Sequence, residues 1–146
     1  MRRYLALNSE KHAADYTEVV DIGFSLGDFT AAATSQTYTI PLAIGDVVFR
    51  EMLIERRTAP AGVGLASATM SIGPTGATTH FFSAVNVLGV AYHVPVNTVE
   101  VYPRVTSAGN LIITLAIVGL NISALTAGEF RIWIKMSRLA DRQLSA

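Results

Sequence analysis

The amino-acid sequence predicts an all-β protein: a single antiparallel β-sandwich, jelly-roll-like, with an extended N-terminal arm and a short C-terminal tail. Three observations carry this expectation. In the stretch from Gly128 to Arg138, Phe130, Ile132, Ile134 and Met136 fall on one side of an extended chain. Arg131, Trp133, Lys135 and Ser137 fall on the other, because strand side chains alternate with period two. About eight such segments recur at spacings of roughly 8–15 residues with turn signals between them. No strand–helix–strand alternation is readable, which favours antiparallel sheets over a parallel α/β arrangement. One domain is expected over residues 1–146, with 1–15 as arm and 140–146 as tail.

In chain order, Arg2 to Asn8 reads as an extended arm anchored by Tyr4, and Ser9 opens a short helical turn toward Asp15. Glu18 to Phe24 is a strand, punctuated by Gly27 and Asp28. Ala31 to Ser35 is a low-complexity link. Tyr38 to Ile44 is extended, with Pro41 marking an edge position or a strand end. Gly45 and Asp46 turn the chain. Val47 to Thr58 fits two readings. Phe49, Met52, Leu53 and Arg56 have helical spacing, but a long, bulged strand is preferred because Val47 and Val48 begin it and Ala59 and Pro60 end it.

Pro60 to Leu65 is a Gly-rich connection, and Ala66 to Ile72 alternates up to a turn at Gly73, Pro74, Thr75 and Gly76. Phe81 to Val90 and Tyr92 to Val96 are extended. Val99, Val101, Pro103 and Val105 oppose Glu100, Tyr102 and Arg104 as a half-buried strand. Ser107 to Asn110 has hairpin-turn length and leads into Leu111–Val118. Asn121 to Thr126 is a loop, and Asp141 to Ala146 is a polar tail.

Composition narrows the function. The 146 residues contain no cysteine, which removes disulfides and thiolate metal sites and weakly favours assembly in a cytosol. Eleven basic and eleven acidic residues cancel, leaving no electrostatic footprint for nucleic acid. Charged residues are 15% of the chain and hydrophobic ones 51%, against about 25% charged in ordinary soluble domains. Part of the apolar surface is therefore expected to be covered in an oligomer or larger assembly. The longest apolar run, Leu111–Val118, spans eight residues, where a membrane helix needs about 20. Arg2 and Arg3 look like the start of an export signal, but Leu5, Ala6 and Leu7 are too short an apolar core for one.

No motif announces a reaction, and no catalytic, cofactor-binding or metal residue is assigned. His12, His80 and His93 lack ligand spacing. Asp15, Glu18 and Asp21 read as a solvated acidic rim, with no calcium-loop pattern around them. The glycines at 62, 64, 73 and 76 match neither a phosphate loop nor a dinucleotide fingerprint, and no nucleophile elbow is present. Arg56 and Arg57 read as surface charge. Arg2 and Arg3 are better placed to reach an acidic neighbour, since Arg pairs with carboxylates in bidentate fashion. Trp133 is either core beneath a second covered face or an interface anchor, with Arg131 on the same face.

One family resemblance adds to this. The run from Val47 to Ile54, then Thr58, Ala59, Pro60, Ala61 and Gly62, then Ala68 to Gly73, then Leu111–Val118 and Thr126 to Ile134 is similar to head decoration (cement) and head-fibre proteins of tailed bacteriophages. The likeness covers about two-thirds of the chain and rests on strand and turn patterns. Where such proteins often place acids after the S-x-G turn, this chain has Pro74, Thr75, Gly76, Ala77 and Thr78, so no acid-based metal site carries over. The resemblance implies a non-enzymatic homotrimer without cofactors, seated on the major capsid protein at the virion exterior and assembled in the host cytoplasm. On that reading Arg2, Arg3 and Tyr4 contact the capsid, and Arg131 and Trp133 form the subunit interface. Two alternatives stand beside it: a phage tail, adaptor or fibre-base component, and a carbohydrate-binding sandwich using Tyr92, Tyr102 and Trp133.

Overall fold

The period-two pattern becomes nine strands among the described residues: β1 (Arg2–Leu7), β2 (Thr17–Phe24), β3 (Ser35–Leu42), β4 (Val47–Ala61), β5 (Ser67–Pro74), β6 (Phe82–Asn86), β7 (Tyr92–His93), β8 (Gly109–Val118) and β9 (Ala127–Ser137). The computed structural model describes residues 2–7, 17–95 and 109–137. The helical turn expected from Ser9, the strand from Val99 to Val105 and the tail from Asp141 lie outside them.

All pairings are antiparallel, in two sheets of order β1-β2-β9-β4-β7 and β3-β8-β5-β6. The pairs β2·β9, β3·β8, β4·β7 and β5·β6 nest like one long hairpin. Rolling that hairpin so that β9 meets β4 and β8 meets β5 produces the two four-strand layers of a jelly roll. The strand β1 is added outside β2.

The inner faces of the two layers make one core. Val20, Ile22 and Phe24 of β2, Phe130, Ile132, Ile134 and Met136 of β9, and Ile54 of β4 meet Leu111, Ile113 and Leu115 of β8 and Met70 and Ile72 of β5, all 2% exposed or less. Burying each such side chain stabilises the fold by about 1.5–3 kcal/mol. The alternation read around Phe130 is therefore the core face of the central strand of its sheet.

The ambiguous segment is strand β4, and its helical spacing does not describe a shared face. Val48 pairs with Met136 and Met52 with Ile134, so four residues of β4 advance against two of β9, a bulge. Of the residues at helical spacing, Phe49 and Leu53 lie on the outward side with Lys135 and Trp133, and Met52 and Arg56 on the inward side with Ile134 and Phe130. The strand then runs past the expected stop. Pro60 is buried at the third irregularity of this ladder, between Thr58 and Ala61, where the ladder does not need its missing N–H.

Two turns differ from expectation. Gly109 and Asn110 belong to strand β8, because Asn110 pairs with Pro41 and exchanges bonds with Thr75: the Thr75 N–H donates to the Asn110 carbonyl (2.9 Å) and the Asn110 N–H to Thr75 Oγ1 (3.0 Å). The loop from Asn121 to Thr126 contains a 3-10 turn, Ile122–Ala124, whose Ile122 is fully buried. Pro41 stands near the end of β3, an edge strand, as expected.

The β4–β5 and β8–β9 connections touch through glycine. Gly119 has φ +106, and a Cβ there would stand 1.9 Å from the Gly64 carbonyl oxygen. Only glycine satisfies both constraints.

Candidate assembly interface

Strand β9 lies in the middle of its sheet, so its outward side chains form the centre of an exposed face. Cross-strand register sets the neighbours. Trp133 sits between Asp21 on β2 and Leu53 on β4, and Arg131 between Gly23 and Glu55. Trp133, Arg131, Lys135, Phe49 and Leu53 are all half-buried. The Trp133 ring lies on the outer side of its sheet, away from the core between the two layers.

This face neutralises its own charge. The Arg131 guanidinium donates from Nε to both carboxylate oxygens of Asp21, at 2.7 and 2.9 Å, and from Nη2 to Oδ2. Its Cζ lies 5.0 Å from the Trp133 ring centroid, within cation–π range. Lys135 Nζ is 5.3 Å from the Phe49 ring and 3.9 Å from Glu51. Arg57 Nε is 3.2 Å from Glu55. The result is a surface on which three cations each meet a carboxylate; Trp133, Phe49 and Arg131 are of the residue types enriched in protein interfaces, and its lysine and acids are of types depleted there.

Two sequence readings change here. Asp21 is not part of a solvated rim. It is 7% exposed and held by Arg131, because even spacing on paper became outward placement beside β9. Arg56 is not surface charge. It pairs in register with Phe130 on the inward side and donates from Nη1 to the carbonyls of Val87 (3.4 Å) and Leu88, clamping the turn before β7. Arg57, one residue on, does face solvent.

The register also relates residues the sequence had assigned to separate partners. Tyr4 stands in the cross-strand row of Asp21, Trp133 and Leu53, and Arg2 in the row of Gly23, Arg131, Glu55 and Tyr92. Arg3 falls in the intervening row with Ile22, Ile132, Ile54 and His93. The expected arm is thus backbone-paired as the outermost strand of the same sheet. Sequence reasoning missed Phe49, Leu53 and Glu55 as neighbours of Trp133. Their odd-numbered alternation was visible, but the pairing of β4 with β9 was not.

Elsewhere, an open cleft of about 260 Å³ lies beside β6, lined by Thr79, His80, Phe81, Phe82, Ser83, Val85 and Val94. His80 stands edge-on to Phe81, with ring centroids 5.1 Å apart. His93 Nε2 is 2.8 Å from the Asn86 carbonyl oxygen. Among the described residues no three His, Asp or Glu side chains converge as a metal site would require, and no helix is long and apolar enough to cross a membrane.

No family model and no curated protein matches this sequence. Two solved structures share its fold. A chain of the Cyanophage Pam1 capsid asymmetric unit is 19% identical, with 91% of this chain and 93% of that chain covered at a TM-score of 0.59. A chain of the acidic stable capsid structure of Helicobacter pylori bacteriophage KHP30 is 11% identical, with 93% of each chain covered at a TM-score of 0.54. At these identities the likeness is one of fold.

Proposed function

We propose that this chain is a structural virion protein of a bacteriophage: a decoration, or cement, protein that trimerises on the head exterior and bridges major capsid protein subunits. The observation that carries the reading is coverage. Chains of nearly the same extent, 93% covered in each case, form the same fold in two phage capsid assemblies. A capsid component of this size works by contact and needs no reaction, cofactor or metal. Three modest contacts made by one trimer combine into high avidity when the geometry lets all of them engage.

In this reading the Arg131 and Trp133 face joins the subunits, and Arg2, Arg3 and Tyr4 contact the capsid. The self-neutralised face supports the first role, since charges already paired need no new partner when covered. A glycan platform has less support. The Trp133 ring already carries the Arg131 guanidinium, which occupies a surface that a sugar would stack on.

Solution mass by light scattering, with and without empty capsids, tests the proposal. A trimer that co-sediments with capsids supports it, and a six-fold or twelve-fold ring that ignores them points to a tail component. Trp133→Ala is expected to abolish the trimer; an unchanged trimer removes the interface assignment. Deleting residues 2–8 is expected to weaken capsid binding and leave the sandwich folded.

A further inference from the structure

Charge is segregated between the two layers. Every charged residue assigned to a strand lies in β1, β2, β4 or β9, and β3, β5, β6 and β8 contain none. The outer face of this second sheet is an array of short side chains. Thr37, Thr114 and Ser71 form one cross-strand row, flanked by Ile112 on one side and by Ala116 and Thr69 on the other. No residue there is larger than isoleucine. All nine strands belong to the two sheets, so no described strand covers this face.

Its hydroxyls are partly satisfied already. Thr69 Oγ1 donates to the Ala116 carbonyl (3.4 Å), and Ser71 Oγ accepts from the Ala84 N–H (2.9 Å). Covering Thr69 and Ser71 therefore removes little hydration that the sheet has not replaced.

We propose that this charge-free face pairs with the same face of a second copy across a two-fold axis. A two-fold contact sets each patch against itself. A patch with net charge would then meet like charge, and this one carries none. Four strands about 4.8 Å apart and roughly eight residues long at about 3.4 Å each present roughly 500 Å². Two copies together cover roughly 1,000 Å², the level that a specific interface must reach. The proposal goes beyond the cement reading and is compatible with it: three-fold contacts through the Trp133 face and two-fold contacts through this face would link neighbouring trimers to one another.

The chain has no cysteine, so single thiols test the geometry directly. Cysteines are placed one at a time at Thr37, Thr69 and Thr114, with Val63→Cys in the exposed β4–β5 turn, on neither sheet face, as control, and each protein is treated with a short flexible bis-maleimide. At least one of the three is expected to cross-link into covalent dimers at least ten-fold faster than the control. In parallel, light scattering over a concentration series is expected to show the wild-type mass rising with concentration to at least twice its starting value, and Thr114→Lys, checked for native circular dichroism, to abolish that rise. Cross-linking no faster than the control at all three positions, with masses that do not rise with concentration, overturns the proposal. A misfolded Thr114→Lys protein leaves the cross-linking arm decisive. Capsid co-sedimentation is read separately, so failure of face pairing and failure of the cement reading are distinguishable.

Discussion

Replacing Asp21 by Asn isolates the ion pair that organises the outer face of the five-stranded sheet. The Asp21 side chain is 11% exposed and that of Arg131 33%, so the pair is neither fully screened nor fully buried. Asn keeps the volume but loses the negative charge and one acceptor, while Arg131 stays against Trp133. Charge-assisted hydrogen bonds contribute about 1.5–3 kcal/mol. The partial hydration available to Arg131 removes part of the penalty for leaving it unpaired, so about 2 kcal/mol is expected. For a domain of about 150 residues that corresponds to a fall in Tm of roughly 4–8 °C. The assay is chemical denaturation at one fixed protein concentration, because an oligomer adds a mass-action contribution to apparent stability. A double-mutant cycle with Arg131→Met assigns the loss to the pair, with a coupling above about 1 kcal/mol expected. Coupling below about 0.5 kcal/mol, the additivity limit for independent sites, would refute the claim that the two side chains act together.

Other expectations follow from single features. Gly119→Ala forces a Cβ against the Gly64 carbonyl at positive φ, and a loss above about 2 kcal/mol is expected, since both strain and overpacking contribute; an unchanged denaturation midpoint would contradict the tight loop contact. Burial, with the Asp28 carboxylate nearby, pushes the Tyr38 phenol up to about 12. Because the folded value is raised, its contribution is fully present below pH about 10 and is lost as the pH rises through about 12. Wild-type stability should therefore fall more steeply than that of Tyr38→Phe across that window, and parallel curves would count against it. Arg56→Met should speed hydrogen exchange around residues 87–91, whose carbonyls at Val87 and Leu88 the guanidinium holds, with little change at β8; uniform exchange would remove the clamp.

How far the sequence could be read depended on which interactions were local. The alternation at Phe130, Ile132, Ile134 and Met136 is a property of adjacent residues, so the buried face of β9 was legible. The bulge in β4 was not fully legible. Two periodicities overlap there, and only pairing with β9 shows which apolar residues share a face. Asp21 and Arg131 are separated by 110 positions, and no local pattern links them. A signal for the second candidate face was present and overlooked. The segments 29–45, 58–99 and 105–128 contain no charged residue, and they hold β3, β5, β6 and β8.

The sequence alone determined the fold class, the core-facing side of the main strands and the scarcity of charge, because these depend on short-range period and composition. The tertiary structure decided which strands are neighbours. Pairing across long stretches of chain placed Arg131 over Trp133 and against Asp21, turned Arg56 inward beside its outward neighbour Arg57, and gathered the charge-free strands into one layer. Those outcomes depend on contacts between residues far apart in the chain, where closing the loop and matching the register select the partner.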